Sequence, residues 1–154
     1  MGTEIERKFL VDDVPDVADA PADRLRQGYV ALDEGAEVRI RLADGGATLT
    51  VKGGSGLART EVEIAVDDDQ AQDLWALTEG RRVEKTRYRI PLAGGLVAEL
   101  DRYEGALADL CTVEVEFASE DAARAFTPPA WFAEELTGHR GWSNAALALH
   151  GRPR

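Results

Sequence analysis

Residues 3–11 read TEIERKFLV, and the face each side chain takes in this stretch decides the fold. Successive side chains of a strand point to opposite faces. Glu4, Glu6 and Lys8 therefore share one face, and Ile5 and Phe9 share the other. Arg7 turns toward the apolar side and reads as a structural residue.

The same period of two continues outward through most of the chain. After a Pro- and Asp-rich loop at 12–23, LRQGYVAL (25–32) reads as a second strand. AEVRIRLA (36–43) sets Val38, Ile40 and Leu42 against Glu37, Arg39 and Arg41. DGG at 44–46 is a hairpin signal, after which ATLTVK (47–52) sets Leu49 and Val51 against Thr48, Thr50 and Lys52. GGSG at 53–56 reads as a flexible turn. RTEVEIAV (59–66) sets Val62, Ile64 and Val66 against Arg59, Glu61 and Glu63. The period then changes: Ala71, Leu74, Trp75 and Thr78 fall on one helical face, which predicts a helix over 69–79 with aspartates before it and Gly80 after it. Strand period returns at 82–92, with Lys85, Arg87 and Arg89 on one face. Gly94–Gly95 marks a turn. Glu99 and Asp101 then lie opposite Ala98 and Leu100, and Glu114 and Glu116 opposite Val113, Val115 and Phe117. Short helices are expected at 119–126 and 143–150, capped by Ser119 and Ser143. The fold class expected is mainly β (α+β): about eight antiparallel strands closing into a barrel, two or three helices packed outside, and a single domain over 1–154.

One face of this pattern is charged and the other apolar. The wet face of an ordinary antiparallel sheet also carries charge, but here the signs are segregated, with some strands mainly basic and others bearing paired acids. The amphipathic helix needs an apolar partner. An apolar outer barrel surface supplies it and leaves the charged face lining the bore. A bore of carboxylates and guanidinium groups is costly unless pairing, water or ions compensate it. A polyanion with a hard divalent cation would serve both signs, with bases on phosphoryl oxygens and carboxylates on metal.

Bulk properties narrow the partners. A net charge of −11 opposes binding to nucleic acid or to an anionic membrane surface. No apolar run is long enough to span a bilayer. The N-terminus enters charged residues directly, without the pattern of a signal peptide, which points to the cytoplasm. Cys111 is the only cysteine, so no internal disulfide forms. His139 and His150 read as surface residues, and Trp75 and Trp131 as packing residues.

The order of motifs resembles the CYTH superfamily, the triphosphate tunnel metalloenzymes. EIERKFL (4–10) matches its ExExK signature, followed in order by QGY (27–29), VRIR (38–41), TLTVK (48–52), RTEVEI (59–64), EKTRY (84–88), ELD (99–101), VEVEF (113–117) and WSNAALA (142–148). The likeness covers nearly the whole chain and is greatest to the small bacterial inorganic triphosphatases. It implies an eight-stranded tunnel that holds triphosphate and a divalent metal, Mg²⁺ or Mn²⁺. By matching position, the metal acids are Glu4, Glu6, Glu114 and Glu116, with Asp101 added. Phosphate is gripped by Lys8, Arg39, Arg41, Lys52, Arg59, Lys85 and Arg87. Lys85 and Glu63 are the expected catalytic groups, and Glu61, Arg89 and Glu99 possible additions. The chain departs from the family at GWSN (141–144), where RYSN is common, and at Arg102–Tyr103, where Arg102 should point outward. The expected reaction is hydrolysis of triphosphate to pyrophosphate and phosphate. Thiamine triphosphatase, class IV adenylate cyclase and a polyphosphate- or nucleotide-binding module without turnover are the alternatives. The oligomeric state is left open.

Overall fold

The computed structural model describes residues 3–54 and 57–153. The strands are β1 (Thr3–Leu10), β2 (Ala22–Asp33), β3 (Ala36–Ala43), β4 (Gly46–Gly53), β5 (Ala58–Val66), β6 (Arg82–Pro91), β7 (Val97–Tyr103) and β8 (Cys111–Glu116). They close into an antiparallel barrel in the order β1-β5-β4-β3-β2-β6-β7-β8. Two meanders, β2 to β5 and β6 to β8, account for most of it. Their hairpins fall at the glycine signals, with Gly46, Gly94 and Gly95 at positive φ. Ser55 and Gly56 of the expected GGSG turn lie outside the described residues.

β1 is not the neighbour of β2. It closes the barrel between β5 and β8, with Glu4 opposite Arg59 and Lys8 opposite Glu114. The loop after β1 holds Pro15, Pro21 and several aspartates, so it cannot make a tight hairpin and carries the chain to the far meander.

The helices are α1 (Asp68–Ala76), α2 (Glu120–Ala125) and α3 (Asn144–His150). Asp67 caps α1 by accepting from Gln70 N, and Gln70 Oε1 accepts from Asp67 N in return. α1 ends earlier than the sequence pattern predicts. Thr78 folds back instead, its hydroxyl donating to Trp75 O at 2.7 Å and accepting from Arg82 Nε at 2.9 Å. Ser119 and Ser143 cap α2 and α3 as expected.

Most of the apolar core lies outside the barrel wall. Phe9, Leu100, Val113, Val115 and Phe117 form its largest cluster, covered by Ala123 of α2 and by Phe132. Burying these side chains contributes roughly 1.5–3 kcal/mol each. A second cluster of Val83, Tyr103, Leu107, Leu110 and Leu147 seats α3 on one end of the barrel, with Val83 and Tyr103 facing inward opposite Gln27 and Lys85. Arg7 faces outward as expected: it pairs with Glu135 at 2.7 Å and donates to Ala123 O and Phe126 O, clamping the end of α2 to β1. Trp131 packs edge-on against Phe132, and Trp75 lies under the Arg82 guanidinium. Arg102 is exposed.

Candidate active site

With the apolar faces outside, the other parity of every strand points inward. The bore holds a cavity of about 470 Å³, large enough for a small-molecule ligand. β1 supplies Glu4, Glu6 and Lys8; β3 supplies Glu37, Arg39 and Arg41; β4 and β5 supply Lys52, Arg59, Glu61 and Glu63. Arg87, Glu99, Glu114 and Glu116 line it from β6, β7 and β8. The segment after α2 completes the wall. Leu10 N donates to Glu134 O and Leu136 N to Lys8 O, which brings residues 137–145 across one side.

Three of the expected residues do not line the cavity. Arg89 is exposed and pairs with Asp23 at 2.6 Å. Lys85 and Asp101 lie beneath the lining, both wholly buried. Asp101 was expected to hold metal, but its oxygens are already engaged: Arg87 donates from Nε at 2.8 Å and Nη2 at 2.9 Å, and Lys85 Nζ sits 2.6 Å away. The register explains this, since Asp101 stands directly opposite Arg87. Burial opposes the charge on Asp101, yet Arg87 and Lys85 hold its carboxyl down to about 2. Complete burial, with Arg87 adding repulsion, pushes Lys85 down to about 7 despite Asp101 beside it.

On the acid side, Lys52 Nζ lies 3.0 Å from Glu4 and 3.5 Å from Glu61, and Arg59 Nη2 lies 3.2 Å from Glu4 and 3.7 Å from Glu6. These two cations do not balance the carboxylates. Burial raises Glu6 well above the carboxylate range, and the adjoining Glu114 adds to the rise. A hydrogen bond shared with Glu4, then burial, pushes Glu61 up to about 8. Burial and the charges of Glu4 and Glu99 raise Glu116. Burial works against Glu114 too, but Lys8 and Arg87 keep it low. Among the described residues no three acids are drawn into a ready-made metal cage. The donor set is nonetheless all carboxylate oxygen, with more negative charge than its own cations neutralise, which fits a hard divalent cation.

Several inward-facing or bordering residues carried no charge signal in the sequence. Tyr29 is fully buried and its hydroxyl has no partner among the described residues; burial pushes it up to about 12. Gln27, two residues earlier on the same face of β2, accepts from Arg41. Both lie in the QGY motif, and strand parity alone places them inward. His139, read as a surface residue, is exposed but borders the cavity. Asn144, in the GWSN segment, accepts from Tyr103 OH at 2.6 Å and Lys85 Nζ at 3.3 Å, and Trp142 O accepts from Lys8 Nζ at 2.7 Å.

Residues 2–140 match the model of the CYTH domain. The chain is 51% identical to an inorganic triphosphatase of Nitrosomonas europaea over 148 residues, covering 96% of this chain and 97% of that protein. It is 34% identical to an inorganic triphosphatase of Acetivibrio thermocellus, covering 96% and 94%. The crystal structure of the inorganic triphosphatase NE1496 superposes with a TM-score of 0.72 at 47% identity, covering 99% of both chains.

Proposed function

The chain belongs to the CYTH domain family, and from that premise we propose that its bore hydrolyses inorganic triphosphate to pyrophosphate and phosphate. The observation that carries this reading is the bore itself, with unbalanced carboxylates on one side and cations on the other. Triphosphate has about four to five negative charges near neutral pH, since its last proton leaves near neutrality like the second proton of a phosphate monoester, pKa about 6. Arg39, Arg41, Lys52, Arg59, Arg87 and Lys8 would grip its oxygens.

Glu4, Glu6, Glu114 and Glu116 would hold the divalent metal, Mg²⁺ or Mn²⁺. When bound, it neutralises charge on the phosphoryl oxygens. Glu63, on the same face of β5 as Glu61, would accept the proton of an attacking water. The water oxygen bonds to the terminal phosphorus, the bridging P–O bond breaks, and pyrophosphate departs. Each preorganised electrostatic contact of this kind supplies roughly 2.7–4 kcal/mol. Lys85 and Asp101 act from beneath: Asp101 fixes the Arg87 guanidinium, and Lys85 ties Asp101 to Asn144. They are positioning residues in this reading rather than direct ligands.

The cavity favours a purely inorganic substrate. Apart from His139, the aromatic residues lining it among the described residues are Tyr29 and Trp142, with no stacked pair for a thiazolium or purine. The reading places the enzyme in the cytoplasm; no helix among the described residues is long and apolar enough to cross a membrane. Phosphate release from tripolyphosphate, ATP and thiamine triphosphate, each with Mg²⁺, Mn²⁺ or chelator, tests the function. Metal-dependent release from tripolyphosphate alone is expected. Binding without release would identify a binding module, and cyclic AMP from ATP would overturn the assignment.

A further inference from the structure

Most bases of the bore meet a carboxylate. Lys52 meets Glu4 and Glu61, Arg59 meets Glu4 and Glu6, and Arg87 meets Asp101 and Glu99. Among the described residues, Arg39 and Arg41 meet none. Arg39 reaches only the hydroxyl of Thr50, at 3.4 Å. Arg41 donates through Nε at 2.9 Å and Nη2 at 2.6 Å to the single oxygen Oε1 of Gln27, its direct partner across the β2–β3 ladder.

Gln27 is an unusual choice for that position if stability alone mattered. It is fully buried, and its Nε2 has no partner among the described residues. A buried donor without a partner is destabilising. A glutamate would offer a second acceptor oxygen in its place and would pair the guanidinium in the strong bidentate geometry. It would also cancel the Arg41 charge.

We propose that Gln27 is a positioning residue that clamps Arg41 through a neutral acceptor, so that the arginine keeps its full charge for the substrate. This rests on the triphosphatase reading and deepens it. The bore has two electrically distinct walls: the acid wall of β1, β5 and β8, and the β3 wall, where Glu37 stands opposite Lys52 while Arg39 and Arg41 have only neutral partners. The phosphate group of triphosphate lying farthest from the metal acids is held on the β3 wall. Burial and the nearby Arg39 and Arg87 push Arg41 down to about 10, against the opposing charge of Asp101.

Two variants separate this role from simple packing. Gln27→Glu keeps the hydrogen bonds and adds a charge; Gln27→Met removes the hydrogen bonds and adds none. The readouts are KM and kcat for tripolyphosphate with Mg²⁺, the calorimetric Kd for tripolyphosphate in chelator, and Tm. Gln27→Glu is expected to raise KM and Kd by at least about tenfold, the loss of one charge-assisted contact, with kcat little changed and Tm equal or higher. Gln27→Met is expected to lower Tm yet weaken binding less than Gln27→Glu. The proposal is overturned if Gln27→Glu binds like the wild type, if Gln27→Met binds more weakly than Gln27→Glu, or if the glutamate variant fails to fold. Absence of wild-type turnover would instead remove the triphosphatase reading, and the chelator Kd would still decide the role of Gln27.

Discussion

Asp101 holds two buried cations at once, and removing it should be among the most damaging single changes in the protein. Asp101→Ala leaves Lys85 buried without its counter-ion and Arg87 with Glu99 alone, and breaking a buried pair in this way costs about 3–5 kcal/mol. Urea unfolding at neutral pH measures this loss. Within the cavity, Glu4→Gln or Glu116→Gln should lower kcat far more than they weaken substrate binding, whereas Arg39→Ala should chiefly raise KM. Steady-state kinetics with calorimetric binding of tripolyphosphate separate the two; equal activity in all three variants would remove these roles. Alternation along each strand was enough to put the charged side chains on one face. It did not reveal that Asp101 is spent on Arg87, because that depends on β6–β7 register. Nor did it single out Tyr29 and Gln27, which are neutral and so gave no charge signal on a strand whose inward face also holds Leu25.

At the scale of elements, α1 packs on β2, β3 and β4, and the turn that ends it meets β2 at close quarters. A Cβ on Gly28 would sit 2.4 Å from Thr78 Oγ1 and 2.5 Å from Thr78 Cβ, and Thr78 is fully buried. Gly28→Ala is therefore expected to push the end of α1 off β2 and destabilise the fold by roughly 1–3 kcal/mol, as overpacking does; a thermal melt checks it. The hairpins and helix caps were legible because a few local residues set them. The insertion of β1 between β5 and β8 was not, because a lone N-terminal strand carries no turn that names its partner. The early end of α1 was also hidden. Thr78 continues the helical apolar pattern, but its hydroxyl is used to close the turn and hold Arg82.

For the molecule as a whole, the unbalanced acids make stability depend on pH in a definite direction. Glu61 is raised from its ordinary 4.5 to about 8, so the folded state holds more protons than the unfolded one across that window. Its contribution to stability therefore falls as pH rises from about 4.5 to about 8. Glu6, also raised, acts in the same sense. Asp101 acts oppositely: its folded pKa of about 2 lies below its ordinary 3.8, so its contribution is lost as pH falls from about 4 through 2. Lys85, lowered from its ordinary 10.5 to about 7, contributes stability as pH rises above 7, so a Tm series in chelator should peak near pH 4.5–5 and decline chiefly between about pH 5 and 7. Added Mg²⁺ should flatten the decline toward pH 8, since a cation bound only by the folded state stabilises it. A Tm that rises steadily to pH 8 in chelator would exclude the crowded carboxylates described above.

The claim beneath all of this is that anion and metal share one charged bore. Its most direct test is a crystal structure of the protein with tripolyphosphate and Mn²⁺, the metal located by its anomalous signal. The account predicts manganese among Glu4, Glu6, Glu114 and Glu116, and phosphate oxygens on Arg39 and Arg41. Manganese or tripolyphosphate bound instead on the outer surface, such as the cleft lined by Arg24 and Arg26, with the bore holding neither, would contradict it.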